Sequence, residues 1–182
     1  MERKGGYFFQ TGLMVFILLI SVIGATFSFY GAVNKNTKGE TLVYPTGGFI
    51  TLDAPKINAG NFNAGETIFS DTFTLSGDKT DSGNLFYDII LKIDNNTYPE
   101  GSLAYTISTV DHTNGSPIPT STAPVTIPSD ISELKIGSGA FAGPVSNGVH
   151  SYKLTITRSS DVGTQVGEYS FTAKLAGAIG SN

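Results

Sequence analysis

The chain has no cysteine and no tryptophan. Without a thiol there is no disulfide framework, no thiolate metal site and no cysteine nucleophile. Charge is sparse as well: Lys and Arg number 11 and Asp and Glu 15 among 182 residues, a net charge of −4. The basic residues form no stripe, which argues against nucleic acid as a partner. There are 2 histidines, His112 in the turn-like Asp-His-Thr-Asn-Gly and His150 at the start of an expected strand. Neither sits in an HExxH or comparable spacing, so each reads as an exposed loop histidine and not as a metal ligand. No Gly-x-Ser-x-Gly elbow occurs, and no Gly-x-Gly-x-x-Gly stands before a helix. Asp78, Asp81, Asp88 and Asp94 lack the alternating oxygen rhythm of a calcium loop and read as solvated turn carboxylates. No catalytic residue, cofactor site or metal site is assigned, and an enzyme ranks last among the functional readings.

What the chain does have is an uncharged stretch between Lys4 and Lys35 whose centre reads Leu13-Met-Val-Phe-Ile-Leu-Leu-Ile-Ser-Val-Ile23. Glu2, Arg3 and Lys4 precede it, the pattern that keeps basic residues on the cytoplasmic side. From Leu13 to Ala32 the run matches the roughly 20 residues a helix needs to cross the hydrocarbon core. Residues 1–28 are therefore a signal peptide or a retained membrane anchor. Thr26 and Ser28 supply the small side chains that a signal peptidase requires for cleavage between Ser28 and Phe29. An uncut anchor would instead place Phe27, Phe29 and Tyr30 in the interfacial aromatic belt. Both readings put residues 33–182 outside the cytoplasm, extracellular or on the cell surface, with the membrane and a signal peptidase as partners during export.

Beyond the leader the pattern is that of strands. Residues 29–40 form an extended segment and polar linker, and residues 41–182 a single β domain, since what remains suffices for one core. Strands are expected at 48–53, 67–76, 84–94, 102–110, 125–127, 133–136, 149–158 and 167–175, with 84–94 central because it is the most apolar. Residues 54–65 read as a loop, 77–83 as a hairpin turn, and 111–128, with Pro117, Pro119, Pro124 and Pro128, as an exposed excursion. No window after residue 35 carries an apolar 3.6-residue period of helical length. The expected fold is all-β, an antiparallel β-sandwich with Greek-key connections behind an N-terminal hydrophobic helix. Alternation assigns Phe73, Leu75, Ile89, Leu91, Ile93, Leu154, Ile156, Phe171 and Ala173 to the core.

Two glycosylation acceptor patterns occur, Asn95-Asn-Thr and Asn114-Gly-Ser; such triplets are frequent by chance. The segment Phe29, Tyr30, Gly31, Ala32 and Val33 is extended-prone and partly apolar, and it has no pairing partner nearby in sequence. An open sandwich has unpaired N–H and C=O groups at its edges, so this segment is a candidate donor strand for a neighbouring subunit.

The order of these features resembles the TasA and camelysin family of biofilm-fibre proteins and the related archaeal bundling pilins. The resemblance rests on Gly24-Ala-Thr-Phe-Ser-Phe-Tyr30 closing the leader, Phe49-Ile-Thr-Leu52, Ala64-Gly-Glu66 and Ser70-Asp-Thr-Phe-Thr-Leu75. Asp81-Ser-Gly-Asn84, Leu85 to Ile93 and Gly167-Glu-Tyr-Ser-Phe-Thr-Ala173 continue it. It covers most of the chain in order, and no single motif in it is diagnostic. It implies a jelly-roll-like sandwich that polymerises when the N-terminal segment of one subunit completes the sheet of the next. It also implies leader removal after Ser28, where the family prefers Ala. Some members were classed as metallopeptidases, but no zinc motif here carries that over. The first functional reading is a structural subunit of an extracellular filament or biofilm matrix, with identical subunits as partners. The alternatives are a monomeric membrane-anchored domain that binds carbohydrate or protein, and a type IV pilin-like subunit. Against the last, the would-be mature chain lacks a glutamate at its fifth position.

Overall fold

The computed structural model describes residues 39–118, 123–159 and 168–180. The leader, the cleavage point Ser28/Phe29 and the donor segment Phe29–Val33 lie outside them, as does the expected N-terminal helix. Among the described residues no helix is long and apolar enough to cross a membrane.

The described residues form 11 strands and no helix. In chain order they are β1 (Glu40–Val43), β2 (Phe49–Asp53), β3 (Lys56–Ala59), β4 (Thr67–Lys79), β5 (Leu85–Asn96) and β6 (Leu103–His112). There follow β7 (Ser116–Ile118), β8 (Val125–Ile127), β9 (Glu133–Phe141), β10 (Val145–Arg158) and β11 (Phe171–Ile179). They make two antiparallel sheets, one ordered β1-β2-β4-β10-β6-β8 and the other β3-β11-β5-β9-β7. Strand β5 lies in the middle of its sheet, as its apolar sequence requires.

The strands form because their side chains alternate. In β5, Leu85, Tyr87, Ile89, Leu91 and Ile93 are buried and the residues between them are half-buried. In β10, His150, Tyr152, Leu154, Ile156 and Arg158 face inward in the same way. The inner faces of both sheets merge into one core, and all nine residues assigned to it by alternation are buried. Burying a side chain of this size contributes about 1.5–3 kcal/mol. The centre is packed tightly enough that a methyl group at Gly77 would sit 2.6 Å from the Phe141 ring.

Three sequence expectations are corrected. Residues 54–65 are not all loop: after Ala54 and Pro55 the chain leaves the first sheet and pairs as β3 with β11, Ile57 opposite Ala173. Its period-two pattern is only four residues long and is flanked by turn formers. The turn at 77–83 is shorter than expected, because β4 runs on to Lys79 with its polar end held inside. The proline-rich excursion contributes an unexpected edge strand, β7, where Pro117 costs no ladder bond, whereas β8 is the strand expected at 125–127.

Candidate interaction site

The outermost strands are short: 4 residues in β1 and β3, and 3 in β7 and β8. Each leaves part of a longer neighbour uncovered. Strand β3 pairs with β11 only from Phe171 to Lys174, whereas β5 pairs with β11 as far as Ile179. Among the described residues no strand pairs with the β3 side of β11 from Leu175 to Ile179.

The direction of the backbone there follows from two bonds. Gly180 N–H donates to the Phe86 carbonyl on the β5 side at 2.9 Å. Gly177 N–H points the other way and donates to the Glu40 carboxylate at 3.2 Å. Alternation then turns the amides of Leu175 and Ile179 outward with that of Gly177. A side chain occupies the place that a strand carbonyl would take. Beside this edge lies a groove of about 240 Å³ lined by Leu52, Ala54, Pro55, Leu175 and Ala176 with Glu40 and three lysines. A second groove, of about 380 Å³, shares Ala54 and Pro55 and runs along Asp71–Thr74. The two flank the corner where the chain passes from β2 to β3.

Three basic side chains inside the domain were not anticipated as buried. Lys79 turns in and donates from Nζ to the Thr46 and Gly47 carbonyls at 3.0 and 3.4 Å, fixing the β1–β2 turn. Arg158 is 7% exposed, its guanidinium 5.7 Å from the Tyr98 ring centre and 5.3 Å from that of Tyr169. Its Nη1 donates to the Phe62 carbonyl, and its backbone carbonyl accepts from Gly65 N–H at 2.8 Å, so it clamps the loop before β4.

The third is His150. It is fully buried, not an exposed loop residue, and lies flat on Phe141 with ring centres 4.0 Å apart. Its Nε2 meets the Asn114 carbonyl and its Nδ1 the Tyr87 hydroxyl, which lies 2.6 Å from the Tyr152 hydroxyl. Burial pushes the His150 imidazole below its ordinary value; nearby His112 acts in the same direction and the Asn114 bond opposes. Burial raises the Tyr87 phenol strongly and holds Tyr152 up at about 12. His112 itself is exposed.

Of the other residues singled out in the sequence, Asn95 is exposed at the end of β5 and donates to Ser170 Oγ at 2.7 Å. Asn114 accepts from the Ala142 amide at 2.9 Å. Asp78, Asp88 and Asp94 are in strands and not turns, and Asp88 pairs with Lys135 at 2.7 Å. Among the described residues no three His, Asp or Glu side chains gather as a metal site would need. Compared with known proteins, the chain matches no protein family, no characterised protein and no solved structure.

Proposed function

We propose that the exported part of this chain is the structural subunit of an extracellular filament or surface matrix made of identical subunits. Phe29–Val33 of one subunit adds as a strand to the next. The observation that carries the reading is the unpaired side of β11 from Leu175 to Ile179, which Glu40 and Leu42 of β1 approach without strand pairing and which a groove of mixed apolar and charged lining borders. Strand addition there would satisfy the outward backbone groups and bury apolar side chains of the arriving segment. The Glu40 carboxylate holds Gly177 N–H until that segment displaces it. A contact between two different surfaces of the same chain need not close on itself, so it generates a filament. It also gives lasting cohesion to a chain without cysteine. On the same reading the sandwich is a jelly roll: the pairings β4–β10, β5–β9 and β6–β8 nest around β7.

Electron microscopy of material sheared from the cell surface, with antibody against the β domain, tests this. Decorated fibres are the expected result. Recovery of the chain only as a membrane-bound monomer would support the anchored binding domain instead.

A further inference from the structure

We propose that His150 is an acid-released latch that holds the β6–β7 turn, and through it edge strand β7, against the sandwich. A carbonyl can only accept, so the contact with Asn114 requires the proton of the imidazole to sit on Nε2. Nδ1 is then bare and accepts from the Tyr87 hydroxyl, whose oxygen accepts in turn from Tyr152. The neutral ring is thus fully engaged, with every proton of the chain directed.

A proton taken from solvent at Nδ1 reverses this order. Tyr87 must turn its proton to the Tyr152 oxygen, and Tyr152 its own to the Ser138 carbonyl 3.4 Å away, a long bond. The new charge also lacks a counter-ion. Tyr87 faces the ring from β5, Tyr152 belongs to its own strand, and His112 from β6 approaches it edge-on at 6.3 Å, a second base. Phe141 of β9 and Leu75 of β4 bring nothing that titrates. Asp111 on β6 accepts from the His112 amide at 2.8 Å, and no carboxylate is among the groups acting on His150. A buried charge without a partner is strongly unfavourable, so the structure opens where water is closest.

That place is the β6–β7 turn. Asp111, His112 and Thr113 are exposed and Asn114 half-buried, whereas the other sides of the ring are core. Few bonds hold the turn: Thr113 N–H to the Val149 carbonyl, Val149 N–H to Thr113 Oγ1, and Ala142 N–H to Asn114 Oδ1. Among the described residues strand β7 pairs with β9 over three residues only. Gly115, at φ 74° with the Ala140 carbonyl beneath it, sets the turn so closely that it is either seated on His150 or lifted. Lifting it uncovers the β9 edge at Ser138–Ala140, so acid exposes a second edge.

The sign follows from the binding of protons. The open form titrates near the ordinary histidine value of 6.5 and the closed form below it. Acid therefore favours opening, by about tenfold per pH unit from about 6.5 down to the closed-state value. Hydrogen exchange of the full-length chain in detergent micelles reads this directly, with rates corrected for the intrinsic effect of pH. The Thr113, Ala142 and Val149 amides should lose protection at that rate as pH falls, while amides in the centre of β5 should not. His150→Gln keeps a donor and an acceptor in place but does not titrate, and should abolish the pH dependence; His112→Gln should keep it. Protection at the turn that is indifferent to pH overturns the latch, and so does a dependence that survives His150→Gln. If His150→Gln does not fold, the NMR titration of the His150 ring in the parent chain decides. Opening must follow that curve, and a midpoint belonging to another group contradicts the proposal.

Discussion

Phe73, Leu91 and Phe171 are each at most 2% exposed, and each sits in an inward register position on a different strand. Truncation to Ala removes transfer energy and leaves a cavity, and should cost about 3 kcal/mol at each site in denaturant unfolding. A loss below about 1 kcal/mol at all three would mean that the inward faces are assigned wrongly. The buried phenols make a second claim at this scale. Tyr44, whose hydroxyl donates to the Phe86 carbonyl at 2.5 Å, and Tyr152 are both held up at about 12, against 10.0 when unfolded. Between those values the unfolded chain releases protons that the folded one keeps, so stability falls as pH rises through that window. Absorbance from the Tyr44 and Tyr152 phenolates should then appear together with loss of fold; their titration in a domain that stays folded would contradict the packing. His150 and Arg158 were legible in part. Extending the rhythm of Tyr152, Leu154 and Ile156 by one step each way places both inside. Residue type argued for the surface, and phase prevailed because each side chain finds a carbonyl partner there.

At the scale of elements, long alternating segments were readable and short or interrupted ones were not. Strand β4 explains why alternation can mislead. Its register against β10 slips between Phe69 and Thr67, so buried Ile68 and buried Phe73 lie on opposite phases of one strand. Strand β9 shows the same effect: Ile136 is an extra residue against β5, and the glycines beyond it hid its continuation to Phe141. Strand β3 was invisible because its reason for existing is β11, more than a hundred positions away in sequence. The unpaired side of β11 likewise follows from where β3 stops, which no local pattern records. That edge carries a prediction. Ile179 is 51% exposed and its amide faces outward, so Ile179→Pro should change monomer stability by no more than about 1 kcal/mol. The same change removes one donor from the proposed receiving edge and should reduce filament yield sharply in a sedimentation assay. Filaments at the parent's yield would place the receiving edge elsewhere.

For the whole molecule, the β domain forms one core by itself, and its edges are finished unequally. The chain has no thiol, and among the described residues no cluster of His, Asp and Glu gathers as a metal site would need, so the proposed function rests on what its edges can pair with. On the proposed reading Phe29–Val33 is the complementary part: a short apolar stretch joined in sequence by a polar linker to Glu40, whose carboxylate accepts from Gly177 N–H on the unpaired side of β11. The most direct measurement compares two purified chains by electron microscopy and sedimentation, one starting at Phe29 and one starting at Thr37. The first should assemble into filaments, and the second should remain a folded monomer with the same unfolding midpoint. Filaments of normal appearance from the chain starting at Thr37 would contradict donation by the N-terminal segment.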